Sequence, residues 1–347
     1  MFKLRRRHHN VEVFPLFCER MFELATSKVL VTGGAGFIGS HICDKLLESG
    51  AEVVCLDNFI TGHRKNIEHN QNNPKFKLIE GDIRDIETCK KAMIGCTHVC
   101  HQAALGSVPR SVKDPLTTNE INITGTLNIF FSAYEAGIKR IVFASSSSCY
   151  GDEPNLPKVE SKVGNPLSPY AITKFSGELY AKTFNTLYGM EMIGLRYFNV
   201  FGPRQDPEGM YAAVIPKFVQ SLIREESPEI HGDGSQSRDF TYIDNVVEMN
   251  ILALTTTSDE ANGLNYNVAC GQRLTILDLF LEIKLLLTNF KSSLVNINPI
   301  HVDSRPGDIP HSLASIDLAK NLIGYNPKIM PKEGLSLAIK WYWDNLQ

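Results

Sequence analysis

KVLVTGGAGFIG, residues 28–39, decides the fold of this chain. The β-branched run Lys28–Thr32 predicts a strand, and residues 37–48 carry the periodicity of a helix. Three spaced glycines, Gly33, Gly36 and Gly39, lie at the junction. Glycines there allow a tight turn and let backbone N–H groups approach a pyrophosphate at the helix N-terminus. Strand, glycine loop and helix in this order predict a dinucleotide-binding unit.

A carboxylate follows at the distance that such a unit requires. The predicted strand 52–56 ends in Asp57, eighteen residues after Gly39. A carboxylate at about this position binds the adenosine ribose hydroxyls, and it repels a 2′-phosphate. Asp57 therefore favours NAD over NADP as the cofactor. Arg64 and Lys65 lie just downstream and leave NADP open.

The composition is that of a globular enzyme. The chain has 347 residues, enough for a full core and two lobes, with 43% hydrophobic and 21% charged residues. The net charge of −3 argues against nucleic acid as a partner, because nucleic-acid binding needs a basic face. No apolar run approaches the roughly eighteen residues of a membrane helix, so no membrane partner is predicted.

The eight cysteines are scattered and include no C-x-x-C pair. Their spacing therefore predicts neither a metal site nor a disulfide framework. Unpaired cysteines are typical of a reducing compartment, and we predict a cytoplasmic protein.

Apolar runs of strand length recur between helical stretches after Asp57. These runs are 76–79, 98–101 and 140–144, and their alternation with helices predicts an α/β fold with a doubly wound parallel sheet. We predict three parts of the chain. They are a poorly ordered extension at 1–26, a Rossmann domain that binds NAD at 27–195, and a smaller substrate lobe at 196–347 with some segments returning to the Rossmann domain.

A candidate catalytic pair lies on a later predicted helix. Tyr170 and Lys174 are four residues apart and therefore share one helix face. Ser168-Pro169 reads as an N-cap followed by proline at the first helical position, which puts Tyr170 in the first turn. An ammonium and the helix dipole both favour a phenolate, so we expect the pKa of Tyr170 to be lowered. Such a pair also occurs by chance, and its meaning depends on the other motifs.

Several motifs occur together in one order. They are Gly33-x-x-Gly36-x-x-Gly39, Asp57-Asn58, Gly81-Asp82-Ile83, the serine run before Tyr150-Gly151, Tyr170-x-x-x-Lys174 and Arg196-Tyr197-Phe198-Asn199. With this pattern, the region 27–347 resembles the extended short-chain dehydrogenase/reductase superfamily of nucleotide-sugar enzymes. Within it, residues 101–111 and 211–216 are similar to bacterial UDP-N-acetylglucosamine 4-epimerases, which serve surface-polysaccharide synthesis.

The resemblance implies a role for each matching residue. The catalytic residues would be Ser146, Tyr170 and Lys174. The NAD-binding residues would be Gly33, Gly36, Phe37, Ile38, Gly39, Asp57, Asn58, Gly62, Asp82, Ile83, Gln102, Ala103, Tyr170 and Lys174. The substrate-binding residues would be Ser107, Ser146, Ser147, Asn199, Ala213, Val214, Arg238, Arg305, Asp308 and Ser312. Guanidinium groups such as those of the two arginines suit a diphosphate.

Two serines bear on the outcome of the reaction. Dehydratases of this superfamily carry Asp-Glu after the catalytic Thr, and its UDP-glucuronate decarboxylases have a Glu in the second of those places. This chain has Ser147 and Ser148 instead, and neither supplies a carboxylate for elimination. The resemblance therefore favours C4 epimerisation of a UDP-sugar through a 4-keto intermediate. A UDP-glucose or UDP-glucuronate 4-epimerase, another nucleotide-sugar dehydrogenase or dehydratase, and a non-catalytic dinucleotide sensor are the alternatives.

Two further expectations follow from the resemblance. In these epimerases the residue four after the Asp of Arg-x-Gly-Asp lines the pocket near the sugar C2 substituent, and here it is the small Ser312, which leaves room for an N-acetyl group. The oxidation state of C6 stays open. The helices after Asn119 and Tyr170 carry more apolar residues than one buried stripe requires, which favours a homodimer.

Overall fold

A seven-stranded parallel sheet forms the centre of the protein. The structure is a computed structural model that describes residues 24–206, 213–303 and 310–346. The sheet contains β1 (Lys28–Thr32), β2 (Glu52–Asp57), β3 (Phe76–Glu80), β4 (His98–His101), β5 (Arg140–Ser146), β6 (Glu191–Tyr197) and β11 (Leu264–Val268). Their spatial order is β3-β2-β1-β4-β5-β6-β11, and every neighbouring pair is parallel. The order reverses between β1 and β4, where open α/β sheets bind their ligands.

Helices cover both faces of this sheet. They are α1 (Phe37–Glu48), α2 (Ile86–Met93), α3 (Val108–Lys113), α4 (Pro115–Asn119), α5 (Thr126–Glu135), α6 (Pro169–Tyr188), α7 (Val214–Ile223), α8 (Ile243–Leu254), α9 (Ile276–Thr288), α10 (Asp317–Leu322) and α11 (Pro331–Asn345). A π-helical segment, Glu120–Gly125, joins α4 to α5. Short 3-10 helices occupy Arg64–Asn66, Glu68–Asn70, Ser147–Tyr150, Asp259–Ala261 and Ser292–Asn296.

Short strand pairs shape the second lobe. They are β7 (Val200–Phe201) with β10 (Thr241–Tyr242), β8 (Glu229–His231) with β13 (Ile300–Val302), and β9 (Ser237–Arg238) with β12 (Leu274–Thr275). The chain segment around residue 311 runs beside Ser237 and extends the last pair. These pairs connect segments that are far apart in the part of the chain after β6.

The sheet is buried on both faces, as its apolar runs predict. Val29 and Val31 of β1 face one side and pack in a cluster that contains Ile42 of α1. Leu30, between them, faces the other side and packs in a cluster with Phe130 of α5. The predicted doubly wound parallel sheet is therefore confirmed. β5 continues two residues beyond its predicted end, so that Ser146 closes the strand.

Parts of the chain beyond residue 196 belong to the sheet layers. β11 forms an edge of the sheet, and α8 packs against α1. The division at residues 195 and 196 stays a prediction. Residues 1–23 of the predicted extension 1–26 lie outside the described residues. Leu24, which belongs to the same predicted extension, is buried in the core. In the three described ranges, no helix is long and apolar enough to cross a bilayer.

The glycine loop after β1 depends on two close backbone approaches. Gly33 has a φ of +67°, and a Cβ on it would lie 2.7 Å from the backbone nitrogen of Ala103. A Cβ on Gly39 would lie far inside van der Waals contact with the carbonyl oxygen of Gly33. Neither neighbour can move easily, because both are backbone atoms in the loops beside β1. The spacing of these glycines is therefore a packing requirement of the fold.

We expect Gly39→Ala to destabilise the protein by about 1–3 kcal/mol, because the added methyl overpacks a backbone contact. Urea denaturation measures this as a lower midpoint. Gly177→Ala is the matched control, because Gly177 lies inside α6 and its nearest non-local neighbour to an added Cβ is 3.9 Å away. The control should be neutral or more stable by up to about 1 kcal/mol. Equal midpoints for the two variants would contradict the packing argument.

Candidate active site

The first of two neighbouring cavities opens at the carboxyl edge of the sheet. It has a volume of about 320 Å³ and lies where the strand order reverses. The predicted NAD-binding residues that line it are Gly33, Gly36, Phe37, Ile38, Gly39, Asp57, Asn58, Ile83, Gln102, Ala103, Tyr170 and Lys174. Gly62 and Asp82 lie behind this lining. The structure thus brings the cofactor residues of the sequence analysis together around one cavity.

The glycine loop has the shape that a pyrophosphate requires. Gly36 is the N-cap of α1 and has no side chain to occupy the first turn of the helix. Backbone N–H groups at a helix N-terminus bind anions, and the helix dipole adds to the attraction. The residues present therefore fit a dinucleotide at this site.

Asp57 is held in place by the backbone at the end of β2. Its carboxylate accepts hydrogen bonds from the N–H of Ala35 at 2.9 Å and of Phe59 at 2.8 Å. Burial raises the pKa of Asp57. A Cβ on Gly62 would lie 2.9 Å from both carboxylate oxygens, so Gly62 leaves space for them. In the sequence, Arg64 is a reason to keep NADP as an alternative cofactor. In the structure its guanidinium forms an ion pair with Glu80 at 2.5 Å.

Asn58 and Asp82 form a second polar contact beside this position. The Asn58 amide donates to the Asp82 carboxylate at 2.8 Å. Arg84 also donates to that carboxylate, and this hydrogen bonding lowers the pKa of Asp82 to about 2. Asp82 therefore stays ionised and fixes the two loops that follow β2 and β3. Ile83, next to it, supplies an apolar wall of the cavity.

The predicted catalytic pair lies at the start of α6. Ser168 caps the helix, with its side chain accepting from the N–H of Ala171, and Pro169 is the first helical residue. Tyr170 donates its backbone N–H to Ser111 at 3.0 Å, and its phenol lies beside the side chain of Ser146. The ammonium nitrogen of Lys174 lies 6.0 Å from the Tyr170 ring centroid. Phenol, serine hydroxyl and ammonium thus meet at one side of the first cavity.

The predicted lowering of the tyrosine pKa is wrong for the protein alone. Burial raises the pKa of Tyr170 to about 12, and the nearby side chain of Ser146 opposes this only in part. Lys174 donates to the carbonyl oxygen of Ala144 at 2.9 Å, and burial lowers its own pKa to about 8. The neighbouring charge alone predicts a lowered pKa for Tyr170. Desolvation disfavours the charged forms of both Tyr170 and Lys174, and its effect on the pKa is larger here.

The second cavity lies between α7 and the short strands of the second lobe. Its volume is about 550 Å³. Three predicted substrate residues line it: Asn199, Val214 and Arg238. Asn199 has a φ of 35° and donates its side-chain amide to the carbonyl oxygen of Asp239 at 2.9 Å. A non-glycine residue in this conformation needs support from its surroundings, and Asp239 provides it.

Sequence reasoning missed several polar residues of this cavity. Lys217 lies one turn after Val214 on the same face of α7, a spacing that could have revealed it. His231 and Gln236 come from the two ends of a loop and had no sequence signal. The lining also contains Glu226 and Glu229, but Lys217 and Arg238 beside the amino end of α7 can bind a phosphate-containing ligand.

Other predicted substrate residues lie outside the two linings. Ser107 caps α3, and Ser147 begins the 3-10 helix after β5. Ala213 is the N-cap of α7. Ser312 donates its N–H to the carbonyl oxygen of Ser237 at 2.9 Å, next to Arg238. Arg305 and Asp308 lie outside the described residues.

The site contains hydroxyls and an ammonium but few acids. Ser147 and Ser148 follow the strand end where this fold could carry carboxylates, and Ser148 donates to the Ser146 hydroxyl at 3.0 Å.

Across ranges 24–206, 213–303 and 310–346, no group of three or more His, Cys, Asp or Glu residues could hold a metal ion. The seven cysteines in those ranges are free. The arrangement can move protons between hydroxyl groups beside a bound dinucleotide.

Comparisons with known proteins agree with this geometry. A family model described as "NAD dependent epimerase/dehydratase family" matches residues 29–269. A UDP-glucose 4-epimerase of Mycolicibacterium smegmatis is 33% identical over 92% of this chain and 100% of its own length.

Two solved structures are similar along most of the chain. One is the UDP-N-acetylglucosamine 4-epimerase of Methanobrevibacter ruminantium M1 in complex with UDP-N-acetylmuramic acid, with a TM-score of 0.85, 42% identity and coverage of 92% and 98% of the two chains. The other is the UDP-glucuronic acid 4-epimerase of Bacillus cereus with UDP-glucuronic acid and NAD, with a TM-score of 0.82, 30% identity and coverage of 91% and 99%. The chain therefore belongs to the NAD-dependent epimerase/dehydratase family, within its group of nucleotide-sugar 4-epimerases, with NAD as its cofactor.

Proposed function

We propose that the protein epimerises C4 of a UDP-N-acetylhexosamine, interconverting UDP-GlcNAc and UDP-GalNAc or the corresponding uronates. The observation that carries this proposal is the grouping of the Tyr170 phenol, the Lys174 ammonium and the nearby Ser146 at the edge of the NAD cavity. A dinucleotide sensor would need the glycine loop but not this group of hydroxyls and ammonium. We further propose a role in surface-polysaccharide synthesis in the cytoplasm.

NAD⁺, when bound, supplies a hydride acceptor for the sugar carbon and a positive charge on its nicotinamide ring. That charge favours the phenolate form of Tyr170 and opposes the effect of burial on its pKa. Tyr170 then takes the proton from the sugar O4, while Ser146 hydrogen-bonds the same oxygen. Lys174 binds the ribose and holds a second positive charge near the phenol. These three residues allow C4 to be oxidised to a ketone.

Epimerisation requires that the ketone undergoes neither elimination nor decarboxylation before it is reduced again. Elimination of water or loss of CO₂ would need a carboxyl group near the sugar. Ser147 and Ser148 occupy the positions where such a group would stand, and their hydroxyls can only hydrogen-bond. The ketone therefore persists until the sugar has turned over beside Tyr170 and Ser146. Reduction from its opposite face then gives the C4 epimer.

The proposal for the sugar rests on small residues near C2. Ser312 has room for an acetamide and a hydroxyl that can bond to it. The M. ruminantium enzyme, which shares 42% of its residues with this chain, acts on an N-acetylated sugar according to its name. Relatives named for UDP-glucose and UDP-glucuronate make those sugars the second candidates.

A product assay over a panel of UDP-sugars tests the proposal. The purified protein would be incubated separately with UDP-GlcNAc, UDP-glucose, UDP-glucuronate and UDP-N-acetylglucosaminuronate, without added NAD. We expect the C4 epimer of an acetylated sugar to form fastest, because NAD is regenerated in each cycle. A faster reaction with UDP-glucose or UDP-glucuronate would support the second candidates. No epimer from any sugar would refute the proposal.

One prediction of this mechanism concerns Tyr170. Tyr170→Phe keeps the ring but removes the base, and we expect kcat to fall on the order of a hundredfold or more. Ser146→Ala should also lower kcat while nucleotide binding is retained. Tyr180→Phe, on the exposed side of the same helix, is the control and should turn over normally. Normal turnover by Tyr170→Phe would exclude this mechanism.

Another prediction concerns the choice of sugar and Ser312. Ser312→Tyr should abolish activity on acetylated sugars by filling the space for the acetamide, and it should spare the non-acetylated ones. The ratio of kcat/KM values for UDP-GlcNAc and UDP-glucose measures this change. Ser312→Ala is the control, because it keeps the space and should leave the ratio near that of the wild type. An unchanged ratio in Ser312→Tyr would show that this residue does not control the pocket.

We also propose a homodimer, formed by the outer faces of α5 and α6. One set of apolar residues on these helices, Ile129, Phe130 and Phe184, is buried in the core. A second, outward-facing set is exposed. It comprises Phe131, Tyr134, Ile172, Leu179, Tyr180, Leu187 and Tyr188. Exposed apolar surface on two packed helices is typical of an interface between subunits.

Light scattering at micromolar concentration should give twice the mass of the chain. Leu187→Arg should shift the protein towards the monomer, because a buried charge without a partner opposes association. Leu285→Arg on α9 is the matched control, since Leu285 is 65% exposed and Leu187 is 68% exposed. A monomeric wild type, or equal dissociation of both variants, would contradict this interface.

A further inference from the structure

A fully buried ion pair lies directly behind the catalytic hydroxyls. Glu178 of α6 and Arg196 of β6 are each 3% exposed, and their side chains meet at 2.6 Å. A second contact joins Arg196 Nε to Glu178 Oε1 at 2.8 Å. Arg196 also donates to the carbonyl oxygen of Glu160 at 3.0 Å and lies 4.8 Å above the ring of Tyr150. The pair is therefore bidentate and well satisfied.

Such a pair is weak evidence for stability. Desolvating two ions costs several kcal/mol, and replacing a buried pair by apolar residues is often neutral or stabilising. The reason for its presence must therefore be sought in its contacts. The third member is Ser145, whose hydroxyl donates to Glu178 Oε1 at 2.5 Å.

The contacts connect the two elements that carry the catalytic groups. Ser145 immediately precedes Ser146 at the end of β5, and its register partner on β6 is Arg196. Glu178 lies one turn after Lys174 and two turns after Tyr170, on the same side of α6. Lys174 makes a parallel connection one turn earlier, to the carbonyl oxygen of Ala144. Consecutive turns of α6 are thus tied to consecutive residues of β5.

We propose that Ser145, Glu178 and Arg196 are positioning residues that set the distance between the Ser146 and Tyr170 hydroxyls. This inference rests on the proposed function of those two hydroxyls. The Ser146 hydroxyl accepts hydrogen bonds from the Ser148 N–H at 3.1 Å and from the Ser148 hydroxyl at 3.0 Å. Both donors follow Ser146 in the same short segment, so they orient its hydroxyl but do not set the distance between the end of β5 and α6. Ser145 donates a hydrogen bond to the Glu178 carboxylate, which Arg196 holds in place. This bond fixes the end of β5 against α6. Misplacement by about 1 Å can cost a hundredfold in rate.

The same two strands contain a matched control. Arg140 and Glu191 begin β5 and β6 and are register partners, as Ser145 and Arg196 are near the other end. Their side chains form an ion pair at 2.5 Å. This pair also connects β5 to β6, but it lies at the amino edge of the sheet, away from both cavities. This pair is more exposed than the buried one, at 11% and 35%, so the two pairs are compared by their effect on kcat rather than on stability.

The test compares Ser145→Ala with Ser145→Thr, Arg196→Lys and the control Glu191→Gln. For each, kcat, KM for the UDP-sugar, bound NAD per chain and melting temperature are measured. We expect Ser145→Ala to lower kcat about tenfold to a hundredfold, with KM and bound NAD unchanged. Ser145→Thr keeps the hydroxyl and should restore kcat. Arg196→Lys should resemble Ser145→Ala if it folds, and Glu191→Gln should keep wild-type kcat.

A crystal structure of Ser145→Ala gives a readout that needs no turnover. The distance between the Ser146 and Tyr170 hydroxyls should grow by on the order of an ångström relative to the wild type. An unchanged distance, or an equal loss of kcat in Glu191→Gln, would overturn the positioning role. Loss of bound NAD in Ser145→Ala would instead assign Ser145 to the cofactor site and also overturn it. Wild-type protein that epimerises no UDP-sugar would refute the proposed function, while this distance would still decide whether the network positions Ser146.

Discussion

The contact between Gly39 and the carbonyl oxygen of Gly33 is the constraint on which the site depends. It brings the first turn of α1 against the end of β1, closer than any side chain would permit. The amino end of α1 therefore points into the cavity where the strand order reverses. Gly33 makes a similar approach to the loop after β4, so three elements meet without side chains between them. The residues predicted to bind the dinucleotide line the cavity beside this meeting point.

The catalytic groups are governed by desolvation as much as by neighbouring charges. Burial raises the pKa of Tyr170 and lowers the pKa of Lys174, so each charged form is disfavoured in the protein alone. The positive charge of a bound nicotinamide ring changes this balance, because it favours the phenolate where no water is present to stabilise it. The proposed mechanism thereby links proton removal to occupancy of the cofactor cavity. Free phenolate would be scarce until the cofactor was in place.

Features that depend on short stretches of chain could be predicted from the sequence. The glycine loop, the strand ending in Asp57 and the Ser168 cap of α6 are local patterns, and the structure has each of them where it was expected. The pKa of Tyr170 could not be predicted, because it depends on burial of the phenol by tertiary packing around the end of β5. Lys217, His231 and Gln236 meet only after the short strand pairs have formed. The link from Ser145 through Glu178 to Arg196 joins three separate elements, and no spacing in the sequence reveals it.

The position of β11 affects how the protein can be made. It begins at residue 264, yet it pairs with β6, which ends at residue 197. During synthesis the ribosome must add residues 198–268 before the sheet is complete. Until then, the edge of β6 presents unpaired backbone groups beside a strongly apolar strand, a surface prone to join other chains. The nascent Rossmann domain is therefore exposed to misassembly for the time that those intervening residues take to emerge.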